Sequence, residues 1–160
     1  MGIGPSFSRD TTDLATMRQW LLALVALAMA GSLADLLLLG HYEDGWQLPP
    51  IVLLAIGLPA VAWAGLRQSR MAIVALRATM LLVLLAGAVG VALHFDGNRE
   101  FQREMDPDLT GWPLVVKVMR AKAPPALAPA AMAQIGLLGL LATYRYRPAA
   151  PRRRDDASAD

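Results

Sequence analysis

The hydrophobic positions of this chain gather into four long blocks rather than alternating or scattering. The first runs from about Trp20 to Gly40, broken only by Ser32 and Asp35. The second runs from Pro50 to Leu66, and the third from Met71 to Leu93 with Arg77 and Thr79 inside it. The fourth runs from Pro125 to Thr143 and contains Gln134. Crossing the bilayer hydrocarbon takes about 20 apolar residues in a helix. The blocks therefore predict four transmembrane helices, near 18–40, 50–67, 71–94 and 125–144. Barrel strands do not compete, because each block is too long and continuous, and lipid-facing backbone must satisfy its own hydrogen bonds.

The expected fold is an all-α integral membrane protein: a left-handed, antiparallel four-helix bundle over 17–147 with a short inner turn at 67–70. A tail, 1–16, precedes it, with Thr11 or Thr12 available to cap the first helix. A Pro-, Arg- and Asp-rich tail, 148–160, follows and is expected to be disordered. The outer loop 95–124 contains TGWPLVVKVMRAKA. Pro113 suits the first turn of a helix there. Its apolar residues gather apart from Lys117, Arg120 and Lys122, so it reads as a short interfacial helix anchored by Trp112, able to cover the bundle or dock a partner.

Basic residues orient the spans. The N-terminal tail, the 67–70 turn and the C-terminal tail hold nine arginines, at 9, 18, 67, 70, 145, 147, 152, 153 and 154. The opposite loops hold five basic residues, Arg99, Arg103, Lys117, Arg120 and Lys122. The positive-inside rule then puts both termini in the cytoplasm, as in a bacterial inner membrane. Aromatics agree: Trp20, Trp63, Tyr144 and Tyr146 sit near one interface, and Tyr42, Trp46 and Trp112 near the other. Ala28-Met29-Ala30 resembles a signal-peptidase site, but the apolar run continues through Leu39, too long for a signal segment, so an uncleaved first span is expected.

Composition reinforces this picture. Of 160 residues 56% are hydrophobic and only 18% charged, against about 45–50% and 25% in soluble domains. There is no cysteine, which removes disulfides, thiolate metal sites and thiol nucleophiles. The net charge of +2 comes from residues flanking the apolar blocks and is no nucleic-acid footprint. Lipid is the implied partner, together with other membrane proteins or a second copy.

A shift of 53 residues lays His41 on His94, and GHYEDG on LHFDGN. Both histidines close an apolar block, and each half resumes at a double proline, Pro49-Pro50 and Pro124-Pro125. This reads as two pseudo-repeated helical hairpins, the second carrying an insertion of about 22 residues. Small residues four apart (Ala26, Ala30, Ala34; Ala60, Ala64; Ala86, Gly90; Gly139, Thr143) allow close helix packing, within the bundle or in a dimer.

Polar groups inside the spans are candidates by default. Asp35 is expected roughly 6–9 Å below the outer end, either as a structural hydrogen-bonding acid near Gln134 or cap groups, or as a proton or ion ligand. Arg77 lies too far from it to pair and is expected to snorkel inward. Both histidines fall in an acidic outer cap. Imidazole and carboxylate suit a Zn-, Mn- or Fe-type divalent ion, and the candidate ligands are His41, His94, Glu100, Glu104 and Asp44. Glu100 is expected nearest, if the chain turns at Asp96-Gly97. The alternative is a hydrogen-bonded cap that locks the loops. No dense ligand motif, phosphate loop or nucleophile elbow occurs. Two functions survive: a structural or accessory subunit of a membrane complex, leaning away from catalysis, or a metal-binding membrane enzyme or transport component.

Overall fold

The computed structural model describes residues 6–122, 124 and 127–146, with side chains from Asp13 onward. The tail 148–160, its arginine run and Pro125 lie outside the described residues. Five α-helices and no strand occur among those residues: α1 (Ser6–Leu38), α2 (Leu48–Arg67), α3 (Arg70–Met105), α4 (Gly111–Met119) and α5 (Ala128–Ala142), with one 3-10 turn at Gly45–Gln47. Three helical stretches, Asp13–Leu38, Gly45–Arg67 and Arg70–Met105, are long and apolar enough to cross a membrane, and the shorter Ala128–Ala142 is also apolar. The chain fits a membrane protein in general. Leu27, Leu38 and Leu66 are more than 70% exposed, and Leu81, Leu82 and Leu85 also face outward. Apolar surface this extensive is stable against lipid, not water.

Several boundaries differ from the sequence expectation, each for a local reason. α1 already runs from Ser6, so Thr11 and Thr12 lie inside it and do not cap it. α3 does not turn at Asp96-Gly97 but continues to Met105. Its outer stretch carries good helix formers and an Asp96–Arg99 ion pair of 3.3 Å, one turn apart. The first residue able to stop it is Pro107, which disfavours helical geometry at the preceding position; Asp106 has φ −149° and ψ 88°. α5 is 15 residues long, about 22 Å, shorter than the block that predicted it. The interfacial segment is helical as expected, over Gly111–Met119.

The turn between α2 and α3 is tight. Gln68 takes a left-handed conformation, φ 46°, and closes α2 on the Ala64 carbonyl. Ser69 then caps α3, its hydroxyl accepting from Ala72 N at 3.2 Å. At the other end of α2, Pro49 and Pro50 occupy the first turn, where a missing N–H costs nothing.

α1 packs on α2 and α5, α2 on α3, and α3 on α5, so these helices touch in a closed ring. Val25, Met29, Leu54, Leu76, Met80 and Val83 fill its centre and are fully buried. Glycines set the spacing. The Met29 side chain occupies the space beside Gly57, and Met80 that beside Gly139; unbranched thioethers fill such gaps well. Between α3 and α5 the approach is of backbone itself, Gly87 against Ala133 and Pro129, and Gly136 against Met80 and Leu84. Of the small residues singled out in the sequence, Ala60, Ala64, Gly139 and Thr143 are buried, Ala26, Ala86 and Gly90 half-buried, and Ala30 and Ala34 exposed.

Candidate functional site

The loop after α1 is built around a glycine. Gly40 has φ +66°. Its N–H meets the Leu37 carbonyl at 3.2 Å, and the His41 N–H meets the Leu36 carbonyl at 2.9 Å. This paired closure is the left-handed glycine cap that ends many helices, and it sets His41 just above the top of α1. Gln47 then gathers the loop, its side-chain carbonyl accepting from Glu43 N at 3.0 Å and from Asp44 N at 3.2 Å. His94 projects from the middle of α3 instead. Both imidazoles are half-buried, and His41 stands close enough for its charge to act on His94. The two histidines thus stand within electrostatic reach of each other despite their separation in sequence.

The carboxylates do not join them. Because α3 is continuous, Glu100 lies six residues and Glu104 ten residues beyond His94, about 9 and 15 Å along the axis. Among the described residues no three His, Asp or Glu side chains form a group able to hold a metal ion. Glu100 and Glu104 instead line an open groove with Asp96, Arg99, Arg103 and Pro107. Asp44 is exposed in the first outer loop.

Beyond His94, α3 forms an arm that α4 braces. Leu114 and Val118 of α4 are buried where that helix packs on α3. The half-buried positions Val91, Phe95, Asn98 and Gln102 recur every three or four residues along α3, one face of a helix. Lys117 reaches Asp106 at 3.7 Å across the connecting loop. Phe101, Met105 and Trp112 remain exposed on the arm.

Asp35 of α1 and Gln134 of α5 are both exposed on the outside of the ring. They are also level. Met29, Gly57 and Thr79 share one layer, so Asp35, six residues further along α1, stands about 9 Å above it. Gln134 lies between Ala133, which abuts Gly87, and Gly136, which abuts Leu84 and Met80; that is also six residues above Thr79. Helical rotation puts both on the α1–α5 side. On α1, Gln19 and Met29 face α2, and Asp35 points the opposite way. On α5, Gln134 is turned about 100° from Ala133, which faces α3. Asp35 and Gln134 thus share one level and one side of the molecule.

The end of the molecule where α5 finishes holds a network that sequence reasoning missed. The final carbonyls of a helix lack intrahelical donors. At α5 the last three find donors. Leu140 accepts from Thr143 N at 3.2 Å and from the Thr143 hydroxyl at 2.9 Å. Leu141 accepts from Tyr144 N at 2.9 Å, and Ala142 from Arg18 Nε at 3.0 Å. The Thr143 carbonyl accepts from Arg77 Nη2, while the buried Thr143 Oγ1 accepts from Arg77 Nε at 3.2 Å. Arg18 also lies over the Tyr146 ring, 4.9 Å from its centre, and the Tyr146 hydroxyl donates to the Gln68 carbonyl. Two guanidinium groups at the negative end of the α5 dipole thus tie α1, α2, α3 and α5 together. The available signal was the pairing of span-end arginines with YRYR.

Comparison with protein-family models, with curated proteins and with solved structures found no match.

Proposed function

We propose that this chain is a non-catalytic subunit of a membrane complex, spanning a bacterial inner membrane four times with both termini in the cytoplasm. The supporting observation is the α3 arm. At 36 residues this helix is about 54 Å long, whereas the hydrocarbon is about 30 Å thick. Its outer turns therefore stand clear of the membrane. α4 braces them, and they present a mixed-charge groove beside exposed Phe101, Met105 and Trp112. A rigid, braced projection with aromatic and charged groups suits recognition of a partner's outer domain better than chemistry on a small substrate. The four-span bundle, the 17–147 domain boundary and the inward tails complete this reading, and reporter fusions after Arg67 and at Asp160 should both prove cytoplasmic. Purification in mild detergent should yield a stoichiometric second protein, released by Phe101→Asp and Trp112→Ala. Recovery of the chain without another protein, whether as monomer or self-dimer, overturns the subunit reading.

The proximity of His41 and His94 favours a second reading, an outer divalent-ion site with the two imidazoles as its protein core. The pseudo-repeat accords with it in sequence, each histidine closing an apolar block. Elemental analysis of the purified protein tests it: a stoichiometric divalent metal, lost in His41→Gln, supports the site.

A further inference from the structure

We infer that the chain self-associates as a two-fold dimer through the outer groove between α1 and α5, with Asp35 of each copy accepting from the Gln134 amide of the other. This goes beyond the subunit reading and does not depend on it. The starting point is that two polar side chains are presented outward from apolar helices, where lipid offers neither donor nor acceptor. A bundle folded for its own sake would turn both inward. They are chemically complementary: a carboxyl offers acceptors and a primary amide offers donors.

Symmetry makes the pairing specific to a second copy. A dimer in a bilayer has its two-fold along the membrane normal, so each residue keeps its depth when passing to the partner. An isologous contact therefore needs its two groups at one level on one face of the monomer. Asp35 and Gln134 meet both conditions, each about 9 Å above the layer of Met29, Gly57 and Thr79 and each flanking the α1–α5 groove. The pairing then occurs twice, leaving no polar group of this face to lipid. Close approach is open as well. A Cβ at Gly31 would meet nothing within 4 Å, and Ala131 beside Gln134 is exposed and small. Backbones come together at such positions in lipid.

The native absence of cysteine makes the test direct. Full-length protein labelled with one dye per chain and reconstituted in liposomes should bleach in two steps. Two differently tagged single-cysteine forms, Gly31→Cys on α1 and Leu138→Cys on α5, each four residues from Asp35 or Gln134 toward the Met29–Thr79 layer and so level with each other, should form a disulfide with each other, whereas Leu82→Cys on α3 should not join either. Asp35→Leu and Gln134→Leu should each weaken association about ten-fold or more, and the double variant should be no weaker than the worse single one, because each removes the same pair. Asp35→Asn, which keeps an acceptor, should stay dimeric. One-step bleaching of the native chain, cross-linking through Leu82 in place of Gly31 with Leu138, or unchanged association of Asp35→Leu in a form that retains its helical signal overturns the dimer. None of these outcomes bears on whether a different protein co-purifies through the α3 arm.

Discussion

Adding one methyl group at Gly136 and the same group at Gly97 should move stability in opposite directions. A Cβ at Gly136 would stand 2.6 Å from Leu84 N, 2.7 Å from Met80 O and 2.8 Å from Leu84 Cβ. Ordinary contact begins at 3.4 Å, so α3 and α5 must separate by about 0.8 Å there. The obstacle is helix backbone, which cannot rotate away as a side-chain tip can. Overpacking costs about 1–3 kcal/mol, and opening a gap of that size forfeits about a quarter to a half of the dispersion energy along the seam. The better helix propensity of alanine returns about 1 kcal/mol. The net loss for Gly136→Ala should be about 2 kcal/mol, or roughly 30-fold in the unfolding equilibrium. At Gly97 a Cβ meets nothing within 4 Å and the position is interior to α3. Only the propensity gain remains, so Gly97→Ala should stabilise by up to about 1 kcal/mol. Reversible unfolding in mixed detergent micelles, followed by far-UV circular dichroism, measures both. If Gly136→Ala proves as stable as Gly97→Ala, the close backbone approach of α3 and α5 is refuted.

Other perturbations reach the remaining parts of the molecule. Arg77→Ala strips two donors from the end of α5 and should cost about 1–2 kcal/mol after allowance for exposure; Arg77→Lys should recover little, because an ammonium lacks the planar fork that reaches both Thr143 oxygens, and the same micelle titration tests both. Val118→Ala should free α4 from α3 and raise amide exchange across 111–119 and the outer turns of α3, while exchange in the ring of spans stays native. On the histidine reading, zinc affinity measured by calorimetry should be full above about pH 6.5 and fall as pH drops through it, since the metal requires neutral imidazole; pH-independent binding, or binding retained by a His41→Gln, His94→Gln double variant, counts against it.

The local physics of this chain is decided by the order of its residues. Four apolar blocks, Pro49-Pro50 at a helix start, a turn near 67–70 and the helical 111–119 segment depend on composition and neighbours within a turn or two, and all are legible without a fold. Which way a polar group faces is not local. Asp35, Gln134 and Arg77 look equivalent as interruptions of apolar runs. Only the packing of α1, α2, α3 and α5 turns the first two outward and brings Arg77 to the carbonyl end of α5. Likewise, Asp96-Gly97 carries a turn signal of at most about 1 kcal/mol. A braced helix overrides it until Pro107, whose geometric constraint is several times larger. The electrostatic reach between His41 and His94 follows from the same tertiary fact: α1 and α3 stand diagonally, each packed on both α2 and α5, so residues far apart in the chain are brought together.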